Sequence, residues 1–111
     1  NEGLPKFLIK QLELKYNLRK KTVGVLGLTF KSDTDDIRDS LAIKLIRLLK
    51  LKKIKTLQSD EYYIDKDNVH KDTLIKKSDI IIISTPHKSY KNLKISKKKE
   101  LVDIWGLIEK K

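Results

Sequence analysis

The chain has 111 residues, 39% of them apolar, which supplies one compact core and not two. It contains no Cys, so a disulfide scaffold, a thiolate zinc site and a cysteine nucleophile are excluded within this sequence. The formal charge of +11 comes from 26 Lys and Arg against 15 Asp and Glu, yet only Arg19, Arg38 and Arg47 are arginine. Nucleic-acid readers lean on the guanidinium fork and on interleaved aromatic side chains, so lysine runs at 52–55 and 97–99 read as solvated surface, and no nucleic-acid partner is expected. The abundance of Lys, Ile and Asn also suits an AT-rich genome. No apolar run nears the roughly 20 residues of a membrane helix, and no signal pattern opens the chain, so the expectation is a cytoplasmic protein without a membrane partner. Met is absent, and the sequence is therefore read as a domain excised from a longer chain.

Residues 4–18 carry Leu4, Phe7, Leu8, Leu12, Leu14 and Leu18 at near-helical spacing with Pro5 in the first turn, which predicts an amphipathic helix. Residues 19–21 are a basic connector. The run TVGVLGL at 22–28 is short, apolar and bounded by Gly27, as a strand buried on both faces should be. A polar, acidic stretch at 29–40 follows, then a helix over 41–51 with Lys44, Arg47 and Lys50 as its polar stripe. Residues 54–57 suit a second strand, and the polar connection 58–70 is assigned a small extra strand near 62–64. A weak helix at 71–77 precedes IIIIST at 80–85, whose β-branched density marks a central strand that Pro86 ends. Residues 89–93 form a short helical or turn segment, residues 101–105 a last strand, and the remainder a charged tail. Strands alternating with helices predict an α/β fold: a three-layer, Rossmann-like, mostly parallel sheet of four to six strands preceded by an N-terminal helix.

In such a sheet, ligands lie beyond the carboxyl ends of the strands where the winding reverses. The segments ending there are 27–38, 85–90 and 103–106. Lys31 leaves the first strand directly and can aim a cation into the crevice, whereas Asp39 and Ser40 are better read as the cap of the following helix. His87, just after the central strand, could equally bond a ligand or serve as a cap or surface residue. The first turn, Gly24-Val25-Leu26-Gly27-Leu28-Thr29-Phe30, lacks the G-x-G-x-x-G spacing and puts bulk where a pyrophosphate would approach, so NAD or FAD is not expected here in the usual way. No metal-ligand spacing and no Ser-His-Asp or paired-carboxylate arrangement can be drawn from the order of residues.

Residues 27–40, GLTFKSDTDDIRDS, resemble the "G-L-A-F-K-x-x-T-x-D-x-R-E-S" hallmark of the C-terminal domain of the UDP-glucose/GDP-mannose dehydrogenase family. Asn1-Glu2-Gly3-Leu4-Pro5 resembles the N-D/E-G-M-P that closes that family's central helical region, Ser78-Asp79-Ile80-Ile81-Ile82-Ile83 its A-D-x-I-V-I strand, and Val102-Asp103 its last V-D strand. The resemblance implies that residues 1–20 end the central region of a parent enzyme and that 21–111 form its nucleotide-sugar-binding domain. It implies an NAD-dependent four-electron oxidation of a UDP-sugar C6 alcohol to a carboxylate, with NAD, a catalytic Cys and a Lys held by other domains. No cofactor is then expected in this segment, which should be inactive alone. The parent would be a homo-oligomer serving polysaccharide biosynthesis.

Carried over position by position, the candidate substrate-binding residues are Phe30, Lys31, Arg38, His87 and Trp105, with Thr34 and Asp36 structuring the loop and Asp36–Arg38 as its internal ion pair. Where UDP-glucose dehydrogenases tend to show D-x-R, this chain has Asp103-Ile104-Trp105, and Leu41 replaces the Pro that often follows the Ser. Trp105 with Thr85-Pro86-His87 and Tyr90 is more similar to the UDP-N-acetylhexosamine branch, so UDP-N-acetyl-mannosamine or -glucosamine is the expected substrate, ahead of UDP-glucose or GDP-mannose. The competing class is a non-catalytic Rossmann-like module for a phosphorylated ligand or a protein.

Overall fold

The computed structural model describes residues 3–104. Four strands, β1 (Thr22–Leu26), β2 (Lys55–Ser59), β3 (Ile80–Ile83) and β4 (Glu100–Asp103), form one sheet in the order β2-β1-β3-β4, with every pair parallel. Helix α1 (Gly3–Lys15) precedes the sheet, α2 (Leu41–Leu51) connects β1 to β2, and α3 (Lys71–Lys77) connects β2 to β3. This is the α/β, Rossmann-like, three-layer arrangement that the alternation of elements predicted.

The period of two along each strand divides the core. Val23, Val25, Ile80 and Ile82 face one side and pack with Ile9 and Leu12 of α1 and Leu45 and Leu49 of α2. Leu26, Ile81 and Ile83 face the other, against Leu74 of α3 and Tyr90. Burying each such aliphatic side chain is worth roughly 1.5–3 kcal/mol, so strands covered on both faces need the unbroken apolar runs seen here. Gly24 lets α3 approach: a Cβ there would collide with Ser78 Oγ and the Leu74 side chain.

Several expected boundaries shift, each for a local reason. The first helix stops at Lys15 and not at 18, because Asn17 is extended and residues Leu18–Lys20 form a 3-10 turn that tucks Leu18 into the core. β1 ends at Leu26 because Gly27 turns to a φ of 89°. β2 runs over Lys55–Ser59, two residues beyond the expected end, since Gln58 and Ser59 are polar but buried. No strand forms at 62–64; β2 gains only a single bridge from Gln58 to Asn68, whose side chain also accepts from Gln58 Nε2 at 2.9 Å. β3 stops at Ile83, the 3-10 turn is Lys88–Tyr90, and β4 begins at Glu100. Trp105 lies outside the described residues.

Candidate functional site

From β1 the chain winds to β2 on one side, and through β3 to β4 on the other, so the reversal falls between β1 and β3. The crevice beyond their carboxyl ends is bordered by residues 27–40 after β1 and 84–87 after β3. Those two segments are stitched together. Gly27 sits against Thr85, where a Cβ would stand 2.5 Å from Thr85 Cβ, and the Thr85 hydroxyl donates to the Thr29 carbonyl at 2.7 Å. Ser84 N–H extends the ladder to the Leu26 carbonyl at 2.9 Å.

The loop after β1 is closed on itself. Phe30 N–H donates to the Asp36 carbonyl at 2.7 Å, and the hydroxyls of Thr29 and Thr34 both donate to the Lys31 carbonyl, at 2.7 and 3.3 Å. Arg38 forks onto Asp36, Nε to Oδ1 at 3.0 Å and a terminal nitrogen to Oδ2 at 2.9 Å, and its own N–H donates to Oδ1. Those bonds from Arg38 pull the Asp36 carboxyl down to about 2. The loop ends at Ser40, whose hydroxyl donates to the Leu28 carbonyl at 2.6 Å and accepts from Ile43 N–H, so the cap of α2 also anchors the turn. Asp39 is not the cap: it holds a φ of 56° just before it. This closure leaves Phe30 about half exposed (49%) and Lys31 exposed, consecutive on the loop beyond the strand ends.

Beneath the loop lies a buried polar pair. His87 and Asp60 have no exposed side-chain surface, and His87 Nε2 meets Asp60 Oδ2 at 2.9 Å. Asp60 Oδ2 also accepts Leu28 N–H at 2.6 Å, and Oδ1 accepts the N–H groups of Tyr62 and Tyr63 at 2.7 and 3.2 Å. Burial pushes the Asp60 carboxyl up, but the bonds from His87, Leu28 and Tyr62 outweigh it and hold the group below its ordinary value. On the other ring edge, His87 Nδ1 accepts Asp33 N–H at 2.8 Å. Tyr62 and Tyr90 enclose the imidazole, with ring centroids 4.7 and 5.3 Å away, and burial with nearby Asp60 and Glu61 drives the Tyr90 hydroxyl far above its ordinary pKa.

Of the residues singled out from sequence, Phe30, Lys31, Thr34, Asp36 and Arg38 therefore share one loop, and His87 lies under it. His87 is wholly buried with both ring nitrogens on protein partners, so it is not a surface residue; it stands at the N-cap position of the Lys88–Tyr90 turn, but its side chain makes no cap hydrogen bond there. Asp60 was not singled out. Its signal was available: an acid directly after the second strand of a parallel sheet.

The turn does not suit a dinucleotide. In a pyrophosphate-binding turn the backbone N–H groups face the ligand. Here those of Gly27, Leu28 and Phe30 are taken by Ser59 O, Asp60 Oδ2 and Asp36 O, and Asp60, at the position that would grip a ribose, is fully engaged. Among the described residues no group of three or more His, Asp or Glu side chains could hold a metal ion, and no helix is long and apolar enough to cross a membrane. An open depression of about 430 Å³ lies elsewhere, between α3 and the approach to β4, with Ile75 and Leu93 among its lining and Lys76, Lys94 and Lys99 around them; it shares no residue with the crevice.

A parallel sheet whose first turn has its backbone N–H groups taken up within the protein defines a Rossmann-like α/β domain that lacks the usual dinucleotide turn. The model of the UDP-glucose/GDP-mannose dehydrogenase family, UDP binding domain, matches residues 24–110, and the chain belongs to that family. It is 29% identical over 99 residues to a UDP-N-acetyl-D-mannosamine dehydrogenase of Pyrococcus horikoshii, covering 84% of this chain and 23% of that protein. It is 34% identical over 88 residues to a UDP-glucose 6-dehydrogenase of Rickettsia felis, covering 69% of this chain and 20% of that protein. The native structure of the UDP-N-acetyl-mannosamine dehydrogenase Cap5O from Staphylococcus aureus superposes with a TM-score of 0.85 at 25% identity, over 100% of this chain and 29% of that one. The chain thus spans less than a third of the length of these relatives, all of which are dehydrogenases.

Proposed function

We propose that this chain is the domain that holds the sugar nucleotide in an NAD-dependent UDP-sugar 6-dehydrogenase, an enzyme that oxidises a C6 alcohol to a carboxylate. The observation that carries this reading is that Phe30 and Lys31 stay exposed on the loop beyond the carboxyl ends of β1 and β3, a loop braced by its own Phe30–Asp36, Thr34–Lys31 and Arg38–Asp36 bonds. An aromatic face and an ammonium at that position suit the sugar and diphosphate of the ligand. Arg38, forked on Asp36, holds the loop's shape, and Thr34 fixes the Lys31 carbonyl. NAD, which this turn does not accommodate, supplies the hydride-accepting chemistry from other domains of an oligomeric parent, and this chain's residues bind and orient the substrate. Residues 1–20 belong to the helical region before the domain, although Ile9 and Leu12 pack into its core.

Titration calorimetry with UDP tests the site. Weak binding is expected, and Lys31→Ala should lower the affinity about tenfold, the loss of one charge-assisted contact. Equal affinity in both proteins would remove Lys31 from the site. For the sugar, Thr85-Pro86-His87 and Trp105 favour an N-acetylhexosamine. A panel of UDP-sugars against the complete dehydrogenase should then show the N-acetylated sugars turned over in preference to UDP-glucose and GDP-mannose.

A further inference from the structure

We infer that His87 is a positioning residue: its neutral imidazole clasps the loop carrying Phe30 and Lys31 to the ends of β2 and β3, and the sugar-nucleotide site keeps its shape only while that clasp is closed. The inference rests on the function proposed above for Phe30 and Lys31.

The protonation state follows from the partners. Nδ1 accepts Asp33 N–H at 2.8 Å and so carries no proton, which leaves the single proton on Nε2, donated to Asp60 Oδ2 at 2.9 Å. A side chain that merely filled space would need neither bond. Asp33 is the residue gripped, two positions after Lys31, and it holds a φ of 57°, a backbone state that a side chain bearing Cβ resists. Its carboxylate completes the grip by accepting Lys88 N–H at 3.1 Å, so one residue of the loop is tied to the β3 side through both its backbone and its side chain.

A second proton on the ring would break this arrangement. Nδ1–H would then confront Asp33 N–H, and the acceptor near it, Asp33 Oδ1, is 3.8 Å away and already bonded to Lys88 N–H. The groups facing the ring are Thr29 and Asp33 from the loop after β1, Asp60, Glu61 and Tyr62 after β2, and Tyr90 after β3, with Glu61 itself paired to Lys71 at 2.7 Å. The carboxylates among them can host the added proton's charge, but only by re-pairing the ring away from the Asp33 backbone.

The test uses nitrogen NMR of the 111-residue chain with UDP titration. The ring shifts should show a protonated Nε2 and an unprotonated Nδ1, and the Asp33 amide should be protected from exchange. In His87→Phe that amide should exchange about tenfold faster and UDP affinity fall about tenfold, while the core amides of Val25 and Ile82 keep their protection. His87→Asn can still offer an acceptor to Asp33 N–H and should restore binding; His87→Gln reaches toward Asp60 and should not. Should the Phe variant fail to fold, acid titration of the wild type reads the same clasp: Asp33 protection must be lost in step with protonation of the His87 ring. An Asp33 amide indifferent to both the variants and the ring proton, or unchanged UDP affinity in His87→Phe, would overturn the inference. Absence of UDP binding in the wild type would instead sink the proposed function, while the Asp33 amide still decides the clasp.

Discussion

The two ends of the sheet solve the same problem with opposite economies of burial. At the carboxyl end Asp60 accepts Leu28 N–H at 2.6 Å from a position with no exposed surface; at the amino end Asp79 accepts Thr22 N–H at 2.8 Å from an exposed one. Both tie a strand to its neighbour by a carboxylate on a backbone donor. At the amino end the remaining ties are also exposed or half-buried: Tyr16 hydroxyl to Glu100 at 2.8 Å, and Lys99 Nζ to the Ser78 and Lys76 carbonyls at 2.6 and 3.0 Å. A domain needing only stability could have used that cheaper form at both ends. A buried polar network fixes one geometry, and the network of Asp60, His87 and Thr85 lies at the end where Phe30 and Lys31 emerge.

The largest expected effect therefore falls on Asp60. Asp60→Ala orphans the buried N–H of Leu28 and the ring N–H of His87 and releases the half-buried N–H of Tyr62, and should cost on the order of 3–5 kcal/mol in urea unfolding. A loss below about 1 kcal/mol, the scale of a single exposed bond, would erase the contrast between the two ends. Next comes Gly27→Ala. Its φ of 89° and the contact of a new Cβ with Thr85 predict a loss of about 2 kcal/mol or more, with the Thr85–Thr29 bond disturbed as well.

Acid sharpens the same comparison. The Asp60 carboxyl is held below its ordinary 3.8, so the stability it contributes is present above that value and is lost as pH falls through the lower folded-state value. Acid unfolding of the wild type should steepen below about pH 4, and the acid limb of Asp60→Asn should be flatter over that window. An unchanged acid limb would mean that the depressed titration of Asp60 is not coupled to folding.

What the sequence discloses follows the reach of each interaction. The apolar runs of β1 and β3 and the stripe of α2 are local patterns, and so are the Ser40 cap and the Asp36–Arg38 pair two residues apart; all can be read from neighbours. Asp60 is a different case. Its partners Leu28 and His87 lie 32 and 27 residues away, and within DEYYIDKDN it looks like one more solvated acid. The same blindness shortened β2, because Gln58 and Ser59 are polar residues that enter a buried network and break the apolar signature of a strand. His87 could be placed at the crevice by its position after β3, but its role as a tie between three loops depends on the topology that brings β1, β2 and β3 to one end.

The smallest effect belongs to Asp79→Ala. It removes the counterpart bond to Thr22 N–H, but the freed donor stays accessible to water, so the loss should be about 0.5–1 kcal/mol and UDP affinity should not change. Asp79 N–H still donates to the Thr22 carbonyl at 2.8 Å, and Glu100 N–H to the Asp79 carbonyl at 3.1 Å, so the strands keep their register without the side chain. Urea unfolding beside calorimetry separates the outcomes. A weakened UDP affinity at preserved stability would show that the two ends of the sheet are coupled through the strands, and the confinement of the site to its carboxyl end would have to be abandoned.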